Sequence, residues 1–325
     1  MGSLSRRDFL KLCVSTGAAF GLSEMLLPDI IQAFSGPQAG NPPVIWLQGG
    51  SCSGCSISLL NSVAPEIGEV LTKVVSLKFH QTLMSANGDM ALEAIRDVQR
   101  RFDGEYILIV EGTVPVGGEG RFATLGEQSG RELLFADWVK SSVRHAKAVV
   151  AVGSCASFGG IPASGPNPTQ SLSLGDFMSS RSLINLPGCP SHPDWILGSV
   201  VHLVKYGVPK LDKFLRPTMF YGRCIHDACE RRKDFDDGVF ATKFSERGCL
   251  YKLGCKGPMT FADCPKRKFN GGTNWCVGAS SPCLGCVEPG FPDVTSPFFV
   301  RMDQYGPAGT APPEGHKTRL LGGEV

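Results

Sequence analysis

Cysteine placement constrains what this chain can fold into more than any other feature. Thirteen cysteines occur in 325 residues, and twelve of them follow two different patterns. Cys52, Cys55, Cys155 and Cys189 are spread along the first part of the chain, and each follows a short apolar run. Eight more, Cys224, Cys229, Cys249, Cys255, Cys264, Cys276, Cys283 and Cys286, crowd into a 63-residue stretch with little apolar sequence. One fold must therefore gather scattered thiols in one half and organise a dense set in the other.

The first half carries the pattern of an α/β domain. Short apolar runs at 44–47, 74–79, 106–110, 148–152 and 183–186 suit strands buried on both faces of a parallel sheet. Helical patterns lie between them. In 88–102 the positions Met90, Ala94, Ile95, Val98 and Phe102 fall on one stripe. Residues 131–143 repeat the pattern with Leu134, Trp138 and Val139. This alternation predicts a doubly wound α/β domain with a parallel sheet. In such a sheet all strand C-termini lie on one edge, where ligands bind. Cys52, Cys55, Cys155 and Cys189 each follow a strand, so all four converge on that edge. Gly49, Gly50, Gly54, Gly153 and Gly188 allow close backbone approach there. The loop "QGGSCSGCS" has the form of a phosphate loop, but neither GxxxxGK[ST] nor a GxGxxG after a strand is present. Its anion site is expected to serve thiolates.

Four thiols can hold zinc or an iron–sulfur cluster. One Cys-x2-Cys pair plus two isolated thiols suits the larger group better than the paired knuckles of structural zinc. In the second half, "CIHDACERR" and "RGCLYKLGCKGP" bring Cys224, His226, Cys229, Cys249 and Cys255. "DCPKR" and "CLGCVEP" resemble ferredoxin fragments. The rival reading is a non-catalytic exported protein organised by zinc or disulfides.

The N-terminus "SRRDFLK", with Arg6 and Arg7 before a modest apolar stretch, resembles a twin-arginine export signal. It places residues 1–35 outside the mature fold, removes Cys13, and directs the protein to the periplasm. No run is long and apolar enough for a membrane span. Residues 306–325 read as a flexible tail. A net charge of +2 and 42% hydrophobic residues give no sign of nucleic-acid binding.

Taken in order, "QGGSCSGCSISLLN", "VEGTVP", "AVGSCASFGGIPA", "LPGCPSHPDW", "IHDAC", "LGCKGP", "DCPKR" and "CLGCVEP" resemble the small subunit of periplasmic nickel–iron hydrogenases over nearly the whole chain. The resemblance implies a flavodoxin-like domain over 41–215 and an irregular iron–sulfur domain over 216–305. It implies an electron-transfer subunit that is active only with a nickel-bearing large subunit. Electrons from hydrogen oxidation would leave through three clusters to a cytochrome or a membrane-bound iron–sulfur acceptor. By position, Cys52, Cys55, Cys155 and Cys189 would ligate a proximal [4Fe–4S] cluster. His226, Cys229, Cys249 and Cys255 would ligate a distal one, and Cys264, Cys283 and Cys286 a medial one. Most of the family has proline as the fourth medial residue and a [3Fe–4S] cluster. Here the position is Cys276, as in the selenium-containing branch, which implies a medial [4Fe–4S]. Oxygen-tolerant members add two thiols at positions that are Gly54 and Gly160 here. Cys224 has no family role; it is read as a buried small residue, with a place among the distal ligands as the alternative. Glu111 is read either as a hydrogen-bonded structural carboxylate or as a group on a path for protons or on the face that meets the large subunit. The basic runs 231–233 and 266–268 read either as a docking patch for an electron partner or as simply solvated charges. A related protein of respiratory complex I shares the proximal-cluster fold but lacks the second, cysteine-dense half.

Overall fold

The computed structural model describes residues 41–63, 65–178 and 183–299; Arg6, Arg7 and Cys13, in the segment expected to be an export signal, and residues 306–325, expected to be a tail, lie outside them. Five strands, β1 (Pro43–Gln48), β2 (Ser76–His80), β3 (Ile107–Glu111), β4 (Ala148–Val152) and β5 (Leu183–Leu186), form one parallel sheet. Their order is β2-β1-β3-β4-β5, the flavodoxin-like doubly wound arrangement.

Every residue of β1, β3, β4 and β5 is buried. This explains why they read as continuous apolar runs rather than alternating ones. Alternate side chains nevertheless enter different cores. Ile45, Leu47, Leu108, Val110, Val149 and Ala151 pack against α2 (Gly88–Arg101) and α3 (Phe135–His145). Val44, Trp46, Ile107, Ile109, Val150 and Val152 belong to the core of the other face, with α1 (Gly54–Leu60) and α5 (Pro193–Tyr206). Between these helices α4 (Gly153–Phe158) follows β4 directly.

Two helical readings shift. Met90 is 73% exposed, and Leu92, Ile95 and Val98 make the buried stripe of α2. Leu134 ends a strand (Arg131–Leu134) that pairs with Thr124–Gln128. The turn Ser129-Gly130 has positive φ at both positions, +54° and +74°, which is a type I′ hairpin signal. Helix α3 starts only at Phe135.

Residues 207–299 hold short helical turns and isolated bridges such as Cys224↔Phe261 and Phe240↔Cys249. Their apolar residues, among them Phe220, Ile225, Leu250, Trp275, Val277 and Val287, join the same core as β1 and α5. Helix α5 is consequently buried almost all round.

Two buried arginines hold this half, one of them tying it to the sheet domain. Arg267 is 1% exposed; it pairs with Asp263 and with Asp194 of α5 at 2.9 Å, and stacks over Phe220. The Trp195 indole also donates to Asp263 at 2.8 Å. Arg216, 2% exposed, pairs with Asp212 and Glu288 and donates to the Val287 carbonyl at 3.0 Å. The basic run 266–268 is thus partly internal, and Arg267 is closed to a docking role. We expect Arg267→Lys, which keeps the charge and loses the planar fork, to cost about 2 kcal/mol. A drop of several degrees in the thermal midpoint checks this.

Candidate metal centres

The first set forms at the C-terminal edge of the sheet. Cys52 and Cys55 follow β1, Cys155 lies in α4, and Cys189 follows β5. Backbone contacts draw these loops together. Ser154 N–H donates to Gly188 O at 3.0 Å, and Gly188 N–H to Ser154 Oγ at 2.9 Å. Ser191 N–H points to Cys55 Sγ at 3.5 Å. Gly153, at φ +85°, would put a Cβ 2.6 Å from Cys55 Sγ. A Cβ on Gly54 or Gly160 would lie 3.1 Å from Cys52 Sγ or Cys155 Sγ, so both positions abut this set.

The phosphate-loop expectation needs correction. Gly49 and Gly50 donate their N–H groups to β3-side carbonyls, Glu111 O at 2.8 Å and Thr113 O at 2.9 Å. The Cys55 and Ser56 N–H groups, at the start of α1, go to the Glu111 carboxylate at 3.0 and 3.4 Å. An internal carboxylate, and not the thiolates, occupies the anion site of this helix start. Glu111 is 2% exposed and also accepts from the Trp46 indole at 3.1 Å, Gln48 Nε2 at 3.2 Å and the Ser56 hydroxyl. This is the hydrogen-bonded structural carboxylate.

His80 extends that network, and no local pattern around it signals this. Its Nδ1 accepts from Thr82 N–H at 3.1 Å, so its Nε2–H faces Ser56 Oγ at 3.1 Å. Burial lowers its pKa to about 4. The folded value lies below the unfolded one, near 6.5. Stability is therefore full above about pH 6.5 and is lost as pH falls toward 4, with a slope of at most about 1.4 kcal/mol per pH unit. We expect the thermal midpoint to fall between pH 6.5 and 5, and the fall to be shallower in His80→Gln.

The second set lines one narrow cavity, partly open to solvent, whose walls include His226, Cys229, Cys249 and Cys255. His226 stacks edge-on against Phe235, and its Nε2 is buried without a hydrogen-bond partner. Cys224 Sγ faces the Gly257 and Pro258 carbonyls at 3.4 and 3.5 Å, and Cys224 does not line the cavity.

The third set comprises Cys264, Cys276, Cys283 and Cys286. Burial pushes the Cys264 thiol far up, and the charges of Cys286, Cys283 and Cys276 push it further. Direct contacts connect the sets. The Ser154 hydroxyl, next to Cys155, donates to the Cys286 carbonyl. Cys283 N–H donates to Cys255 Sγ at 3.3 Å. The third set therefore stands between the first and the second.

Burial raises the pKa of buried thiols in each set: Cys55 far up, Cys155 to about 12, Cys229 to about 11 and Cys286 to about 12. Thiolates so crowded and dry form only when a cationic group displaces their protons. All twelve described cysteines are free, which argues against disulfide stapling. Among the described residues no three His, Cys, Asp or Glu side chains come together tightly enough for one metal ion. The donor chemistry and the buried orphan nitrogen of His226 fit an iron–sulfur group.

Comparison with known proteins agrees. The family model for the C-terminal part of the NiFe/NiFeSe hydrogenase small subunit matches residues 221–299. The model described as NADH ubiquinone oxidoreductase, 20 Kd subunit, matches 52–203. The chain is 43% identical to the periplasmic [NiFeSe] hydrogenase small subunit of Desulfomicrobium baculatum, over 92% of this chain and 99% of that one. It is 40% identical to the periplasmic [NiFe] hydrogenase small subunit 1 of Nitratidesulfovibrio vulgaris, over 91% and 93%. Among solved structures, the [NiFeSe] hydrogenase of Desulfovibrio vulgaris Hildenborough aligns with a TM-score of 0.78 at 45% identity, covering 82% of this chain and 99% of that one. The chain belongs to the NiFe/NiFeSe hydrogenase small-subunit family. It is the electron-transfer subunit of a hydrogenase and acts with the large subunit.

Proposed function

We propose that the three sets hold three [4Fe–4S] clusters: proximal on Cys52, Cys55, Cys155 and Cys189, medial on Cys264, Cys276, Cys283 and Cys286, and distal on His226, Cys229, Cys249 and Cys255. The observation that carries this reading is the succession of contacts from Ser154, beside Cys155, to Cys286 and from Cys283 to Cys255. Bound there, the clusters supply one-electron transfer between the hydrogen-splitting centre of the large subunit and an external acceptor.

The chain's own residues prepare the sites. Backbone N–H groups aim at sulfur: Ser191 at Cys55 (3.5 Å), Arg231 at Cys229 (3.4 Å) and Gly285 at Cys283 (3.5 Å). Such donors favour the thiolate and tune a cluster's potential. The large subunit covers the first set. Exposed Cys52 and Cys189 lie there beside Ile57, Leu60 and Val63, which are 54, 38 and 55% exposed at or just beyond the helix that carries Cys55. Such a cluster of exposed apolar side chains marks an interaction face. The acceptor, a cytochrome or a membrane-bound iron–sulfur protein, meets the second set, whose cavity opens to solvent.

Export to the periplasm runs through Arg6 and Arg7, with residues 1–35 removed. Among the described residues no helix is long and apolar enough to cross a membrane. The folded unit divides near residue 215 into a flavodoxin-like part and an iron–sulfur part.

The test is iron analysis of the purified heterodimer with one cysteine of each set changed to serine in turn. We expect about twelve irons per small subunit in the parent and loss of a different spectroscopic signal from each variant. Two variants from different sets that remove the same signal would sink the assignment. Cytoplasmic retention of the Arg6→Lys, Arg7→Lys double variant tests the export route.

A further inference from the structure

We infer that Trp275 sets the potential of the distal centre by donating its indole N–H to a sulfur of the group bound there; this rests on the ligand assignment above. Trp275 is 4% exposed, lines the cavity formed by His226, Cys229, Cys249 and Cys255, and its Nε1 is buried without a hydrogen-bond partner. The other two buried indoles differ: Trp46 donates to Glu111 at 3.1 Å and Trp195 to Asp263 at 2.8 Å.

An indole N–H can only donate, and native folds rarely leave a buried donor unmet. It cannot serve as a ligand, so what it lacks is an acceptor. A sulfur-rich group in that cavity supplies one. His226 Nε2, the other unpartnered nitrogen in the same walls, is the complementary case, because an imidazole nitrogen can ligate.

The ring is held firmly. Trp275 N–H donates to Asn274 Oδ1 at 2.8 Å, and its carbonyl accepts from Ala279 at 2.9 Å. A Cβ on Gly278 would stand 2.1 Å from Asn274 Oδ1 and 3.2 Å from Trp275 Cδ1, so the backbone packs closely against that edge of the ring. The main chain of Trp275 leads directly into Cys276 of the medial set. The residue is thus rooted in one site while its side chain lines the next. A donor to a cluster sulfur stabilises the additional negative charge of the reduced state, which raises the potential.

The experiment uses the assembled heterodimer in a redox titration followed by electron paramagnetic resonance. His226→Gly first identifies the distal signal as the one it alters. In Trp275→Phe, poised at the wild-type distal midpoint, we expect the ratio of reduced to oxidised distal cluster to fall about tenfold, equivalent to about 59 mV for one electron. A change smaller than threefold overturns the inference and leaves the ligand assignment standing. If His226→Gly alters no cluster signal, the ligand assignment itself fails and the inference falls with it. Pulsed resonance on the wild-type heterodimer with 15N-indole tryptophan needs no variant to assemble. A 15N coupling on the distal signal supports the donor, and its absence overturns it.

Discussion

Gly153→Ala should give a heterodimer that folds and assembles yet carries about eight irons per small subunit in place of about twelve. One added carbon atom decides this. Gly153 joins β4 to α4 at φ +85°, a conformation that costs an alanine about 1–2 kcal/mol. That cost alone leaves a domain of this size folded. The added Cβ, however, would sit 2.6 Å from Cys55 Sγ. A free thiol escapes by rotating, because Sγ is the end of a short side chain. A thiol committed to a cluster escapes only by leaving it. The expected result is selective loss of the proximal signal with medial and distal signals kept, and at least a hundredfold fall in hydrogen oxidation, on the scale of removing a metal ligand's support. Full iron content and unchanged activity would show that Cys55 is no ligand.

A comparable change is expected at Cys276. The residue is exposed, but desolvation still raises its thiol, and its charge is felt by Cys264, Cys286 and Cys255. It therefore stands with the medial cysteines on the side facing Cys255. A fourth thiol gives one ligand per iron. In Cys276→Pro the fourth iron has no ligand, and we expect a strong three-iron resonance signal in the oxidised heterodimer, absent from the parent. The Cys276 carbonyl, which accepts from Ser281 N–H at 2.9 Å, survives the change. The medial potential should rise by on the order of 100 mV, since cluster type and charge span a far wider range. A strong three-iron signal in intact parent enzyme would refute the four-iron medial cluster, and Cys276 would then be a packed thiol beside a smaller cluster.

The sheet and the inventory of donors are legible in the primary structure. Strands buried on both faces have no solvent side, so 148–152 reads as an unbroken apolar run and 183–186 as one interrupted only by Asn185, and they coincide with β4 and β5. Cys52, Cys55, Cys155 and Cys189 each follow a strand or lie just beyond one, and they gather because strand ends in a parallel sheet meet at one edge; the other eight donors are sorted only by resemblance to the family. Other features depend on how the chain packs. A helical stripe does not reveal which residue turns inward, so Leu92 and not Met90 is buried. The hairpin ahead of α3 depends on a Ser-Gly turn that a helical pattern masks. Nothing local marks Glu111 as the carboxylate that fills the helix start in place of a phosphate, because its partners Cys55 and Ser56 lie 56 and 55 residues away. The same holds for Arg267, which reads as part of a solvated basic run and is buried against Asp194, 73 positions earlier. Pairings of this kind are fixed by long-range packing around a shared core. The unpartnered nitrogens of His226 and Trp275 likewise become visible only once the walls of one cavity are in place.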